Sequence, residues 1–205
     1  MRSLISMLFV LVVWASPLQA KTLLVLGDSL SAAYGLPAEQ GWVSLLEQEL
    51  KQRKLVDRVV NASISGETSS GGLQRLPRLL ADYRPDLVVL ELGANDGLRG
   101  TPLQVMEQNL RQMVELSRQS GADVMLIGIR IPPNYGPQYT QRFYSIYPEL
   151  AHAYDVALVP FLLERVALKP QLMQADGLHP TAAAQPILLQ TVWPYLYPLL
   201  QPAEF

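Results

Sequence analysis

Two short segments, far apart in this sequence, carry residue types that could cooperate to break an acyl bond. In Asp176-Gly177-Leu178-His179-Pro180 a carboxylate precedes a histidine by three residues. On a tight turn such a carboxylate can accept the Nδ1 proton of the ring and leave Nε2 free as a base. The other segment is Gly27-Asp28-Ser29-Leu30-Ser31, which directly follows an apolar run. A hydroxyl at its free pKa is a weak nucleophile, so Ser29 needs a base within hydrogen-bond reach, and the base needs a third group to fix its tautomer. Asp176, His179 and Ser29 are the candidates for orienting carboxylate, base and nucleophile.

Attack on an acyl carbonyl builds negative charge on its oxygen, which calls for aimed donors. The backbone N–H of Ser29, the backbone N–H of Gly66 in Asn61-Ala62-Ser63-Ile64-Ser65-Gly66, and the side-chain amide of Asn95 in Gly93-Ala94-Asn95-Asp96-Gly97 could supply them. Singly, each has a plainer use: serine as a helix cap, glycine in a tight turn, asparagine in an Asx turn. The argument rests on their joint occurrence. Leu30, Leu98, Pro132, Tyr135 and Leu178, with Pro133, lie in or beside the same segments and are the expected lining of an apolar substrate groove. His152 sits in a helical pattern with no glycine nearby and is expected to have no catalytic part.

The elements that must bring these segments together are legible as five apolar runs, at residues 22–26, 56–62, 87–91, 124–129 and 156–159. Such continuous runs suit parallel strands covered on both faces. Between them lie amphipathic stretches. Residues 102–119 place Leu103, Met106, Leu110, Met113 and Val114 at helical spacing, with Pro102 near the start and Gly121 beyond the end, and Trp42, Leu45, Leu46 and Leu50 repeat the pattern. The alternation predicts an α/β, three-layer α/β/α sandwich with a five-stranded parallel sheet, whose ligands bind outside the carboxyl ends of the strands. Every candidate segment follows a strand or lies near the C-terminus. Pro133, Pro137 and their polar neighbours predict an extended surface loop over 131–140.

Composition narrows the function classes. The 205 residues suit one domain, and 49% hydrophobic content can fill a substantial core. Arg2, the apolar run 4–14 and Ser16, Pro17 and Ala20 before Lys21 have the layout of a cleavable secretory signal, so residues 1–20 are expected to be removed and 21–205 to form the single domain. The run is too short to span a bilayer, so no stable membrane insertion is expected once the signal is gone. Without Arg2 the 15 basic residues face 18 acidic ones, and they are scattered, which argues against a nucleic-acid partner or an anionic membrane patch. There is no cysteine, only two histidines are present, and no metal-binding motif occurs, so neither a disulfide framework nor a catalytic metal is expected. No heptad seam is visible, and a monomer is the expectation.

The four blocks around Ser29, Gly66, Asn95 and Asp176–His179 resemble, in order and over nearly the whole mature chain, those of the GDSL, or SGNH, hydrolases. The resemblance implies a flavodoxin-like SGNH hydrolase fold, a cofactor-free acyl-enzyme mechanism and action on small-molecule thioesters, aryl esters and lysophospholipids in the periplasm. It assigns catalysis to Ser29, Asp176 and His179, and the oxyanion hole to Ser29, Gly66 and Asn95. Ala94 stands where close relatives often have glycine. The GxSxG elbow of α/β-hydrolases is not matched, because Ser31 occupies its last position. Two other readings share parts of the pattern: a carbohydrate O-acetyl esterase, and a flavodoxin-like binding protein holding a phosphate at the first loop. The second gives Asp176 and His179 no task.

Overall fold

The computed structural model describes residues 21–201, and the signal-like segment 1–20 lies outside the described residues. Five parallel strands form one sheet in the order β2-β1-β3-β4-β5: β1 (Thr22–Gly27), β2 (Arg58–Asn61), β3 (Leu87–Glu91), β4 (Asp123–Ile127) and β5 (Ala157–Val159). Helices α1 (Trp42–Gln52), α2 (Ser69–Tyr83), α3 (Ala94–Arg99), α4 (Leu103–Gln119), α5 (Pro137–Tyr154) and α6 (Gln185–Leu200) connect or follow them.

The strand period of two divides the core. Leu23 and Val25 of β1 point to one face, where Trp42, Val43, Leu46 and Leu50 of α1 meet Leu188, Val192 and Leu196 of α6. Leu24 and Leu26 point to the other, against Leu76 of α2, Leu110 and Met113 of α4 and Phe143 of α5. Both faces are covered, which is why β1 reads as an uninterrupted apolar run. Burying a leucine or phenylalanine side chain fully contributes about 1.5–3 kcal/mol, so these two layers supply the stability that cysteines cannot. Gln185 Oε1 accepts from the Trp42 backbone N–H at 2.9 Å and joins the starts of α6 and α1.

The chain leaves β1 towards β2 on one side and returns to β3 on the other, so the sheet order reverses between β1 and β3. A crevice opens at the carboxyl ends of those two strands. Ser29 lies two residues past the end of β1, and Asn95 four past the end of β3.

The segment 131–140 departs from the expected loop. Only its first half is irregular, with a single 3-10 turn at Pro133–Tyr135, and Pro137 opens α5. Proline at the first helical position needs no hydrogen-bond partner for its missing N–H and brings a helical φ, so it starts this helix instead of ending a pattern. The C-terminal helix α6 carries Pro194 and Pro198 within it and is helical throughout. Its Leu188, Val192, Leu196 and Leu200 are buried at four-residue spacing, and that packing outweighs the backbone bonds lost at the prolines.

Candidate active site

At the end of β1 the chain turns through Asp28 to Tyr34, with Ala32 N–H donating to Asp28 O at 2.9 Å and Tyr34 N–H to Ser29 O at 3.1 Å. Two buried carboxyls anchor this turn. Glu91 Oε2, at the end of β3, accepts from the Ser31 hydroxyl at 2.7 Å and from the Asp28 N–H at 3.3 Å. Asp28 Oδ1 accepts from the Leu30 N–H at 3.0 Å. The turn is therefore fixed to the adjacent strand, and the Ser29 side chain is left facing the crevice.

The base turn is built locally. Asp176 Oδ1 accepts from the backbone N–H groups of Leu178 at 2.9 Å and His179 at 3.0 Å, which folds the segment around the carboxylate. Its other oxygen, Oδ2, lies 2.7 Å from His179 Nδ1, and His179 Nε2 lies 2.8 Å from Ser29 Oγ. Residues 150 positions apart thus meet in one proton relay. Two further contacts join the turns: the Tyr34 ring lies over His179 with centroids 4.4 Å apart, and Gln174 Nε2 donates to Tyr34 O at 2.8 Å and Pro180 O at 3.0 Å.

The donors expected for an oxyanion converge on the same place. Gly66 is held at φ +80°, a left-handed conformation natural to glycine, and among the described residues neither its N–H nor that of Ser29 donates a hydrogen bond. Asn95 Nδ2 donates to Glu67 O at 2.9 Å and Asp28 Oδ2 at 3.2 Å, so its amide is oriented from two sides. The Asn95 loop is set by Gly93, at φ +121°, where a Cβ would collide with the Tyr147 hydroxyl. Buried Asp96 accepts from the Ser69 N–H at 2.8 Å and hydroxyl at 2.7 Å, which ties this loop to the start of α2.

Burial pushes Asp28 up to about 6, even though the Leu30 N–H, His179 and Asn95 all favour its charged form. Glu91 is raised well above the usual carboxylate range, first by burial and then by the neighbouring Asp28. Asp176 behaves in the opposite way. Partial burial would raise it, but the His179 and Leu178 N–H groups and the imidazole outweigh that and hold it at about 2. It stays ionised at any pH at which a neutral imidazole could act as a base.

The relay opens on a hollow of about 290 Å³ lined by Ser29, His179, Gly66 and Asn95, with Leu30, Leu98, Pro132 and Leu178 among its apolar walls. Tyr135 is not part of this wall. Its hydroxyl donates to Leu98 O at 3.0 Å, so it braces a lining residue from outside. Pro133 lines a second, adjoining hollow of about 890 Å³. His152 is exposed in the last turn of α5 and takes no part in either hollow. Sequence reasoning missed Tyr34, Gln174 and Glu91, together with the lining residues Ile131 and Leu163. Asp28 stood in view beside Ser29, but its burial and its bond to Asn95 are long-range facts.

The model of the GDSL-like lipase/acylhydrolase family matches residues 25–186, which is most of the chain and includes every element of the relay. The chain belongs to that family. Among GDSL-like relatives it is 54% identical to the esterase TesA of Pseudomonas aeruginosa over 197 residues, covering 96% of this chain and 98% of the relative. It is 49% identical over 181 residues to thioesterase 1/protease 1/lysophospholipase L1 of Escherichia coli, covering 88% and 86%. A crystal structure of the psychrotrophic esterase EstA from Pseudoalteromonas sp., inhibited by monoethylphosphonate, superposes with a TM-score of 0.83 at 45% identity, covering 88% of this chain and 98% of that one. Like other GDSL-family members, the chain is an ester-hydrolysing enzyme on a three-layer α/β fold.

Proposed function

We propose that this GDSL-family enzyme cleaves acyl thioesters, carboxylic esters and lysophospholipids through a Ser29–His179–Asp176 triad and an acyl-enzyme. The observation that carries the reading is the unbroken relay of 2.8 and 2.7 Å beside two backbone N–H groups with no partner among the described residues.

Ser29 Oγ attacks the acyl carbonyl carbon while its proton passes to His179 Nε2. Asp176 holds the ring by Nδ1 and stabilises the imidazolium that forms. The carbonyl oxygen, now anionic, is received by the N–H groups of Ser29 and Gly66 and by Asn95 Nδ2. For Asn95 the weaker of its two present bonds, that to Asp28, is the one the oxyanion displaces. Collapse breaks the bond to the leaving oxygen or sulfur, which takes the proton from Nε2, and Ser29 is left acylated. Water then gives a proton to Nε2 and attacks the acyl-enzyme, and the second collapse returns that proton to Ser29 Oγ and frees the acid. These groups account for every proton moved, and no step calls for a metal or cofactor.

The substrate class rests on two supports. One is the apolar wall of Leu30, Leu98, Pro132 and Leu178, which suits an acyl chain better than an acetylated sugar. The other is the naming of relatives about 50% identical as esterase, thioesterase and lysophospholipase. The layout of residues 1–20 supports export through a cleaved signal to the periplasm, with 21–205 as one monomeric domain. Ser29→Ala and His179→Ala are each expected to lower kcat on a nitrophenyl ester and on an acyl thioester by roughly 10⁴-fold. A Ser29→Ala protein that kept the wild-type rate would overturn the assignment.

A further inference from the structure

Five large apolar side chains stand exposed around the mouth of the site, supplied by four loops at the carboxyl edge of the sheet. They are Tyr34, Ile64, Tyr135, Leu168 and Leu178. Tyr34 and Leu178 line the catalytic hollow, and Leu168 lines the adjoining one with Leu178. Ile64 precedes the lining residue Ser65, and Tyr135 is bonded to Leu98. Leu168 decides the reading, since at 94% exposure it has no packing role.

The same rim carries cations. Arg99 donates to Gly66 O at 3.0 Å, Arg130 lines both hollows with its guanidinium 3.9 Å from the Tyr144 ring centroid, and Lys169 follows Leu168. None of the three forms an ion pair among the described residues, whereas Arg75, Arg111 and Arg142 elsewhere do. On the same side, Glu164 lines the adjoining hollow, Asp176 is held by His179, and Glu67, next to Gly66, is paired with Arg75. Three cations that follow three different strands thus stand at one edge of an acidic protein.

We propose that this rim is a docking surface for a phospholipid–water interface bearing anionic headgroups, on which the apolar tips enter the headgroup region and Arg99, Arg130 and Lys169 meet phosphates. Charge complementarity selects this occupant, because a second copy of the chain would set the three cations against each other. Among the described residues no helix is long and apolar enough to cross a membrane, and the contact proposed is a peripheral one. Its use to the cell rests on the acylhydrolase reading: a chain leaving the interface would enter the hollow directly.

The test is cosedimentation of residues 21–205, which include every described element, with vesicles of phosphatidylcholine alone or with phosphatidylglycerol as the minority lipid. The Ser29→Ala form keeps the lipids intact. Binding is expected to the mixed vesicles and to weaken as salt shortens the screening length from about 10 Å towards 3 Å. Lys169→Glu should weaken it by about fivefold or more, and Leu168→Asp by about tenfold. Melting curves report folding, and Leu168, being exposed, should not shift them. Tyr195→Ser, on the exposed face of α6, should bind as the parent does. Protein that stays in the supernatant with both vesicles, or binding indifferent to Leu168 and Lys169, would overturn the proposal. Failure of the acylhydrolase reading would register separately, as loss of ester turnover by the unsubstituted protein in solution.

Discussion

Asn95 is held between the Glu67 carbonyl and the Asp28 carboxylate before any substrate arrives, which is the advance orientation that the proposed oxyanion role requires. Removing it should affect the transition state and not the ground state. Asn95→Ala is expected to lower kcat by about 10²- to 10³-fold with little change in KM, as steady-state kinetics on one ester would show. Asp28 and Glu91 make a separate claim, about stability. Asp28 rises to about 6 in the fold, so the native state keeps a proton that the unfolded chain gives up at lower pH. Its stabilisation is present in full below the ordinary carboxylate value and is lost as pH rises through about 6. Glu91 shifts in the same direction. Asp176, shifted down to about 2, works in reverse and loses its contribution as pH falls towards that value. Asp28→Asn should therefore flatten the decline in unfolding free energy between about pH 4 and pH 7 by on the order of 3 kcal/mol, measured by urea titration across that range. An unchanged slope would contradict the assigned burial effect.

At the scale of elements, the site depends on where four loops leave the sheet, and Gly93 shows how narrowly that is set. At φ +121° and against the Tyr147 hydroxyl, an added methyl meets strain and collision together. Gly93→Ala should cost at least about 2 kcal/mol in thermal or urea unfolding, and should lower kcat because Asn95 follows two residues on. The strands were legible for a simple reason: Leu23 to Leu26 alternate between two covered faces, so burial left no polar gap in β1. The contact between Asp176 and His179 was legible because they lie three apart on one turn, which local spacing captures. What was hidden depended on distance or competition. Pro137 looked like a breaker and is a first-turn residue, and the bonds from Gln174 to Tyr34 and from Ser31 to Glu91 span 140 and 60 positions. The cationic rim was invisible for the same reason, since Arg99, Arg130 and Lys169 follow three different strands.

For the whole molecule, the sheet is shared by two apolar layers, and neither can lose order without exposing the other side of the same strands. Unfolding should accordingly follow a single transition. Trp42→Ala, in the layer of α1 and α6, and Phe143→Ala, in the opposite layer, should each cost about 3–5 kcal/mol and shift that one transition when followed by both circular dichroism and tryptophan fluorescence. Two resolved steps would show the layers to be independent. The position of the site follows from the same architecture, because the reversal of strand order between β1 and β3 opens the crevice into which the first, second, third and last loops deliver their groups.

The most direct measurement is mass spectrometry of the protein after reaction with a fluorophosphonate, whose fluoride an activated serine displaces by attack at phosphorus. One phosphonyl group on the peptide containing Ser29 is expected, with labelling slowed by orders of magnitude in His179→Ala and abolished in Ser29→Ala. Label on another residue at full rate, or undiminished labelling without the imidazole, would contradict the account.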